Sequence, residues 1–326
     1  MEQIIIGIDH GNGNIKTKHC VFPCGFKRQD TKPSELFSAD ILSYKGTYYS
    51  LTGNRFPYEI DKTKNENCLI LTLFAIAKEL KERTREGKED FDWKTSFGNF
   101  IGKDVVLAVG LPPAHFEKQQ EAFKKYFLDA SRYGMEFHYN GKLFQFHLKD
   151  VMVFPQDYAA TVIYREELIR KYSSVYCIDI GDGTVDLLAL KNGIPDKEIM
   201  VSRELGMAGL RAKIIDDVIN DYGMTVDAAV IEDILTPGRE VLAPEEVIQR
   251  VKKETAKWAV RIVDQLHSKV ADFRFAPTVF CGGGAMLLKP YLEETGMFGM
   301  TDFIPDIHAN ASGYEEIAGM LLGEQR

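Results

Sequence analysis

The sequence has little cysteine: five residues, Cys20, Cys24, Cys68, Cys177 and Cys281, in a chain of 326. So odd and sparse a set, in a chain too large to need disulfide staples, fits a reducing compartment and predicts a cytoplasmic protein. Only Cys20 and Cys24 are closely spaced. Apart from His19 beside them, no second pair or His cluster completes a tetrahedral zinc site. Long apolar runs are missing as well. The most hydrophobic stretch, Cys68 to Ala77, is roughly half the length that a bilayer-spanning helix requires, which predicts no membrane span. The opening MEQIIIGIDHG carries no basic lead and no small-residue cleavage site, so no secretory signal is expected. Basic charge is in deficit, since 40 Lys plus Arg against 48 Asp plus Glu leave a formal net charge of −8. That balance disfavours sequence-independent gripping of DNA phosphate and makes any nucleic-acid role indirect.

What is present belongs to a globular protein. A hydrophobic fraction of 45% against 27% charged residues argues against disorder. A chain of this length predicts about two domains.

Two segments repeat. Gln3 to Asp9 and Ser174 to Asp179 each read as a buried strand that ends in glycine and polar residues. Ile8, Asp9, Gly11 and Gly13 recur as Ile178, Asp179, Gly181 and Gly183, each pair offset by 170 residues, a domain-scale repeat of one site. Between the repeats lies a polar, aromatic-rich stretch from Arg28 to Ser50 with turn signals. A helix over Asn65 to Lys88 follows, and the two suggest an inserted subdomain. Strands are predicted at Asp104 to Gly110 and Val151 to Phe154. A helix carrying Phe116, Gln120, Phe123 and Phe127 lies between them. Beyond the second repeat, helices are predicted at Gly206 to Asn220 and from Pro244 to about Val270. Next come a strand at Thr278 to Cys281, a short helix at Met286 to Leu292 and a last helix at Gly313 to Leu322. Strands alternating with helices indicate an α/β class, with the repeat as two related domains facing a cleft.

A polyphosphate is held by backbone N–H groups exposed in tight glycine turns. Asp9, His10, Gly11, Asn12, Gly13 and Asn14 therefore read as one phosphate loop, in which Gly11 and Gly13 permit close approach and positive φ. Asp179, Gly181, Asp182, Gly183 and Thr184 read as the other. Taken singly, each turn reads equally as an ordinary hairpin. An aspartate beside a phosphate site makes sense with a cation present, so Asp9 and Asp179 are candidate Mg²⁺ ligands, acting through water. Capping of a strand end is the alternative for both. Lys16 would reach the β- or γ-phosphate as a point charge, unless it faces solvent. Gly282, Gly283, Gly284 and Ala285, after a strand and before a helix, are a third close approach, suited to adenine or ribose. Their spacing is that of neither a P-loop nor a dinucleotide fingerprint.

These pieces in this order resemble the actin, sugar-kinase and heat-shock chaperone ATPase superfamily. The phosphate loops fall at 6–16 and 176–189, the connecting segments at 151–162 and 308–322, and the adenosine segment at 278–288. Within the superfamily the chain looks most like the bacterial plasmid-segregation actins, the ParM/StbA group. That choice is carried by Asn14-Ile15-Lys16, Val109-Gly110-Leu111-Pro112, Phe154-Pro155-Gln156 and Leu205-Gly206. The resemblance implies an actin-like ATPase fold, two duplicated ribonuclease-H-like domains around a nucleotide cleft. The first would span 1–172 with an inserted subdomain at about 30–103, the second 173–307, and 308–326 would return to the first. It also implies ATP or GTP with Mg²⁺ in that cleft, head-to-tail polymerisation, and hydrolysis that weakens the filament. Its partners would be copies of itself and a DNA-binding adaptor of a plasmid partition system, with DNA contacted only through the adaptor.

Catalytic roles follow by the same resemblance. Gln156 matches the group that positions the attacking water, where many plasmid actins carry Glu and eukaryotic actin carries Gln; Asp157 is the alternative. Asp179 and Asp9 match the aspartates that hold Mg²⁺ and its waters. Lys253 and Glu254 fall near positions that edge the purine. Two other readings stay open. In a small-molecule kinase of the superfamily, Asp179 would deprotonate a substrate hydroxyl, although no sugar-recognition signature is evident. A non-polymerising activator ATPase or pilus scaffold is the other, and Cys20 with Cys24 match its cluster ligands poorly.

Overall fold

The computed structural model describes residues 3–34, 40–57, 59–86 and 100–324. The chain divides into two units, Met1–Leu111 with His115–Pro155 and His308–Arg326, and Pro112–Ala114 with Gln156–Ile307.

The first unit opens on β1 (Gln3–His10), whose isoleucines are β-branched and, Ile5 apart, buried. β1 turns back through β2 (Asn14–Lys16) and β3 (Val21–Pro23) as an antiparallel meander. β4 (Phe26–Gln29), β5 (Ile41–Tyr44) and β6 (Thr47–Leu51) come next, from the stretch expected to be an insert. Its turn signals hold, and its short alternating runs pair as strands. The helix expected over Asn65–Lys88 is α1 (Asn67–Arg85), and residues 87 and 88 lie outside those described. β7 (Phe100–Leu111), α2 (Pro113–Ala130), β8 (Met135–Tyr139) and β9 (Lys142–Pro155) complete this part. Nine strands form one sheet in the order β3-β2-β1-β7-β9-β8-β5-β6-β4, with β1, β7 and β9 parallel to one another. The core gathers the sheet's isoleucines and valines, the apolar length of α1, and Phe123 and Phe127 of α2.

The second unit begins with α3 (Tyr158–Tyr164) and α4 (Glu166–Lys171), then the meander β10 (Ser174–Ile180), β11 (Val185–Lys191) and β12 (Ile194–Arg203). α5 (Met207–Tyr222), α6 (Ala228–Leu235) and α7 (Glu245–Leu266) follow. Pro244, expected as the first helical residue, is instead the N-cap one residue before α7 begins, and the helix ends at Leu266, short of the expected Val270. β13 (Pro277–Cys281), α8 (Gly283–Glu294) and β14 (Met300–Phe303) close a five-stranded sheet, ordered β12-β11-β10-β13-β14 with β10, β13 and β14 parallel. The apolar stripe of α7, Val247, Val251, Trp258, Ile262 and Leu266, is buried in this unit's core.

Finally α9 (Ala309–Glu324) packs on β1 and β7 of the first unit. Two glycines make the approach possible. A Cβ on Gly7 would lie 1.9 Å from the Ala311 carbonyl oxygen, and one on Gly110 would lie 2.1 Å from the Tyr314 hydroxyl.

Candidate phosphate and cation site

Each unit carries an aspartate-bearing hairpin at the carboxyl end of its first strand. In the first unit Asp9 pairs with Lys16 across the β1–β2 hairpin, so register alone brings the two together. Lys16 Nζ lies 3.2 Å from Asp9 Oδ2, and Asp9 is 2% exposed. The cation expected to meet phosphate and the carboxylate expected to hold metal thus neutralise each other in this hairpin. Gly11 has no positive φ; its need for glycine is space, since a Cβ would meet the Asn14 carbonyl oxygen at 2.7 Å. The next side chain, His10, points into the core. Its Nε2 is 2.7 Å from Thr72 Oγ1, and its ring stacks on Phe127 and meets Phe123 edge-on. Lys62 Nζ donates to the His10 carbonyl, fixing the entry to the Gly11–Asn12 turn.

In the second unit, Ile180 and Val185 close the β10–β11 hairpin, and Gly181 N donates to the Thr184 carbonyl at 2.9 Å. The start of α5 is stitched to this turn. Gly206 N donates to Gly183 O at 3.2 Å, Met207 N to Gly181 O at 3.1 Å and Ala208 N to Asp182 O at 2.8 Å. Gly206 is required there, because a Cβ would lie 2.4 Å from Asp182 O. The Asp182 carboxylate is paired with Arg211 of α5, whose Nη1 also reaches Glu232 at 3.0 Å. Thr184 Oγ1 donates to Asp186 Oδ2 at 3.0 Å. Gly181 and Gly183 therefore shape a turn whose carbonyls are occupied by α5, with Gly181 again outside the positive-φ region.

Asp179 sits opposite Cys281 in the parallel β10–β13 register, so their side chains share one face of the sheet. Asp157 joins them from the turn that follows β9, where it adopts φ 71°, a left-handed conformation uncommon for a residue with a Cβ. One carboxylate oxygen from each aspartate and the Cys281 sulfur all lie within 4.8 Å of one another. Asp157 is fully buried, Cys281 is 1% and Asp179 is 9% exposed. Gln156, 7% exposed, is the neighbour of Asp157 in the chain. Gly282 follows Cys281 with φ 87°, and a Cβ there would fall 2.0 Å from Asp179 Oδ1. Only glycine leaves that carboxylate in place. The helix expected from Met286 starts three residues earlier, at Gly283, so this glycine run forms the first turn of α8. Gly284 and Ala285 are buried, with Gly284 against Ile180 and Met207, and Gly283 faces open space.

The purine-edging candidates diverge. Lys253 is exposed, while Glu254 is 3% exposed and ion-paired with Lys257 at 2.7 Å, Arg250 at 3.4 Å and Lys213 of α5 at 3.8 Å. Sequence reasoning named Asp157 only as an alternative to Gln156 and gave Cys281 no role. The signal for Cys281 was its place at the end of a strand that would run beside Asp179. Cys20 and Cys24 belong to no three-ligand cluster among the described residues, and none of the five cysteines is in a disulfide.

Residues 7–158 match the family described as the N-terminal domain of actin-like proteins. Residues 177–294 match that of the C-terminal domain of the archaeal actin homologue MreB-like proteins. Among solved structures, the archaeal actin homologue Ta0583 in complex with ADP is 18% identical, covering 97% of this chain and 99% of its own, with a TM-score of 0.73. A ParM from a 15-stranded filament of Clostridium botulinum is 17% identical, covering 98% and 100%, with a TM-score of 0.71. The actin-like protein Alp7A is 13% identical, covering 99% and 98%, with a TM-score of 0.75. No curated protein sequence matches the chain. No described helix is long and apolar enough to cross a membrane. The solved homologues, ParM among them, share the fold of nearly the whole chain, and with 7–158 and 177–294 both matched by actin-type domain families the chain belongs to the actin-like proteins.

Proposed function

We propose that this chain is a nucleotide-driven, polymerising actin-like protein. It binds ATP, or GTP, with Mg²⁺, assembles head to tail into filaments, and hydrolyses the nucleotide so that the filament weakens. The observation that carries this reading is the aspartate-bearing hairpin repeated at the end of the first strand of each unit. Gly11, Asn12, Gly13 and Asn14 in one, and Gly181, Asp182, Gly183 and Thr184 in the other, offer backbone N–H groups to a polyphosphate. Lys16, which neutralises Asp9 in the hairpin, would add its charge to the phosphates once Asp9 takes the cation, and Gly282 to Ala285 would accommodate the nucleoside.

Asp179 and Asp9 are the proposed holders of Mg²⁺. Each carboxylate taken by itself suits the role, because a buried carboxylate oxygen is what a hard cation takes and few are needed, water filling the remaining positions. When bound, the cation neutralises charge on the phosphates. Gln156 then holds an attacking water through its amide, which orients without acting as a strong base. Supporting the assembly step are solved relatives described as filaments, a ParM and Alp12, and supporting nucleotide use is a homologue described as an ADP complex. A heterologous interface whose rotation does not close produces such a polymer.

The reading extends to the cell. The filament would move plasmid DNA through a DNA-binding adaptor, in the cytoplasm, with no direct grip on DNA, in keeping with the net charge of −8. Light scattering and pelleting of micromolar protein test it. Both should rise on addition of Mg²⁺ with ATP or GTP, and a flat signal with each nucleotide would remove the filament reading.

A further inference from the structure

Asp157, Asp179 and Cys281 come from three different elements, yet their ligating atoms converge within 4.8 Å. Two carboxylates this close in a buried place repel each other unless a proton or a cation lies between them. A tetrahedral ion bound at about 2.0–2.3 Å spans ligand-to-ligand separations of about 3.3–3.8 Å, so a modest contraction closes the triangle. The third donor is sulfur. A hard cation gains nothing from a thiol, whereas a borderline or soft one gains a strong ligand. Register and glycine hold the arrangement, since Asp179 pairs with Cys281 across the sheet and Gly282 leaves the Asp179 carboxylate its room.

We propose that Asp157, Asp179 and Cys281 form a direct three-ligand site for a thiophilic divalent cation such as Zn²⁺ or Cd²⁺, with Cys281 setting its preference over Mg²⁺. The proposal rests on the cation role of Asp179 given above and adds Asp157 and Cys281 as ligands. On binding, a sulfur–metal bond forms as the thiol gives its proton to solvent, and no redox step is involved. A fourth position stays available to water.

The test uses the full chain without nucleotide, so that failure of nucleotide binding and failure of this site are read separately. Cd²⁺ is titrated while the ultraviolet thiolate-to-cadmium charge-transfer band and the heat of binding are followed. One equivalent should bind and raise the band. Cys281→Ser and Cys281→Ala should each abolish the band and weaken Cd²⁺ at least about tenfold, the scale on which altered ligation acts on metal affinity. Weak Mg²⁺ or Mn²⁺ binding should stay within about twofold of the parent in the same variants. Asp157→Asn should weaken Cd²⁺ and Mn²⁺ alike, and Cys177→Ser should retain the band. Circular dichroism melts establish that each variant is folded. A band that survives in both Cys281 variants, disappears in Cys177→Ser, or never forms with the parent would overturn the proposal. If nucleotide fails to bind while the cadmium site behaves as described, the cation site stands and the nucleotide reading falls.

Discussion

A single buried histidine beside the first hairpin shows how local bonding sets a solution property. Thr72 Oγ1 donates its only proton to the Cys68 carbonyl at 2.8 Å, so His10 Nε2 must be the donor in their 2.7 Å bond. That bond fixes the tautomer, with the ring proton on Nε2. Burial, with the Lys62 charge adding to it, pushes the pKa of His10 down from 6.5 to about 3. The folded value lies below the unfolded one, so the neutral ring contributes stability that is fully present above about pH 6.5. That contribution is lost as pH falls from 6.5 towards 3, because the unfolded chain takes a proton that the folded chain refuses. Between pH 7 and pH 5 the loss is about 2 kcal/mol. Urea unfolding at the two pH values should show the parent losing that much more than His10→Gln, and equal losses would contradict the assignment. At the other hairpin, Asp179→Ala is expected to abolish Mg²⁺-dependent nucleotide binding in calorimetry, and unchanged binding would remove Asp179 from the site. Neither the Thr72 bond nor the Asp157–Cys281 convergence could be read from sequence. Partners 62 and 124 residues apart are brought together by tertiary packing and leave no local pattern.

Helix α9 on the first sheet is the clearest case of an element placed by what is missing from its neighbours. Gly7 and Gly110 leave the sheet surface bare under Ala311 and Tyr314, and Gly7 N donates to Glu315 Oε2 at 3.3 Å. Gly7→Ala therefore forces the helix outward and should cost about 1–3 kcal/mol in unfolding free energy. Gly319, within the same helix, has only an ordinary contact at 3.7 Å, from Ile5 Cδ1. Gly319→Ala should instead gain up to about 1 kcal/mol from helix propensity and reduced unfolded-chain entropy. Parallel urea curves would check the pair, and equal effects would deny the packing argument. Elements with continuous apolar character were legible in the sequence: β1, β10, α1 and α7 were all expected where they stand. Alternation was legible between Arg28 and Ser50 but not in the later strands. The strand expected at Val151–Phe154 begins at Lys142, because its outer half alternates buried and exposed residues and lacks a continuous apolar run. Asn140-Gly141 and Asn192-Gly193 are the hairpin turns behind β9 and β12, with φ of 50° and 77°, and 51° and 79°. The Asn-Gly signal was present in both, and it marks the strands that the search for apolar runs passed over. Gly11 was expected for close approach and positive φ; it has no positive φ, and the close approach is to the Asn14 carbonyl of its own turn, which only three dimensions reveal.

At the scale of the whole molecule the duplication is topological. The run β3-β2-β1-β7-β9 in one sheet has the same order and the same parallel and antiparallel pairing as β12-β11-β10-β13-β14 in the other. Four matched residues at an offset of 170 were enough to see it. Hairpin turns keep their residue types for backbone reasons, while strands and helices are free to exchange one apolar residue for another. The matched residues lie at the strand ends and turns on which the proposed function relies. On the proposed function assembly and turnover are separable, since the filament would require bound nucleotide and its disassembly would require hydrolysis. Gln156→Ala keeps the hairpins and the proposed cation ligands intact and removes only the amide proposed to orient water. Phosphate release should fall by about 10²–10³-fold, the scale of losing one preorganised hydrogen-bonding group at a reacting centre. Light scattering with Mg²⁺ and nucleotide should rise as in the parent and decay more slowly. Normal phosphate release from the variant would take Gln156 out of the reaction. Slow release without any rise in scattering would show that the residue serves assembly instead.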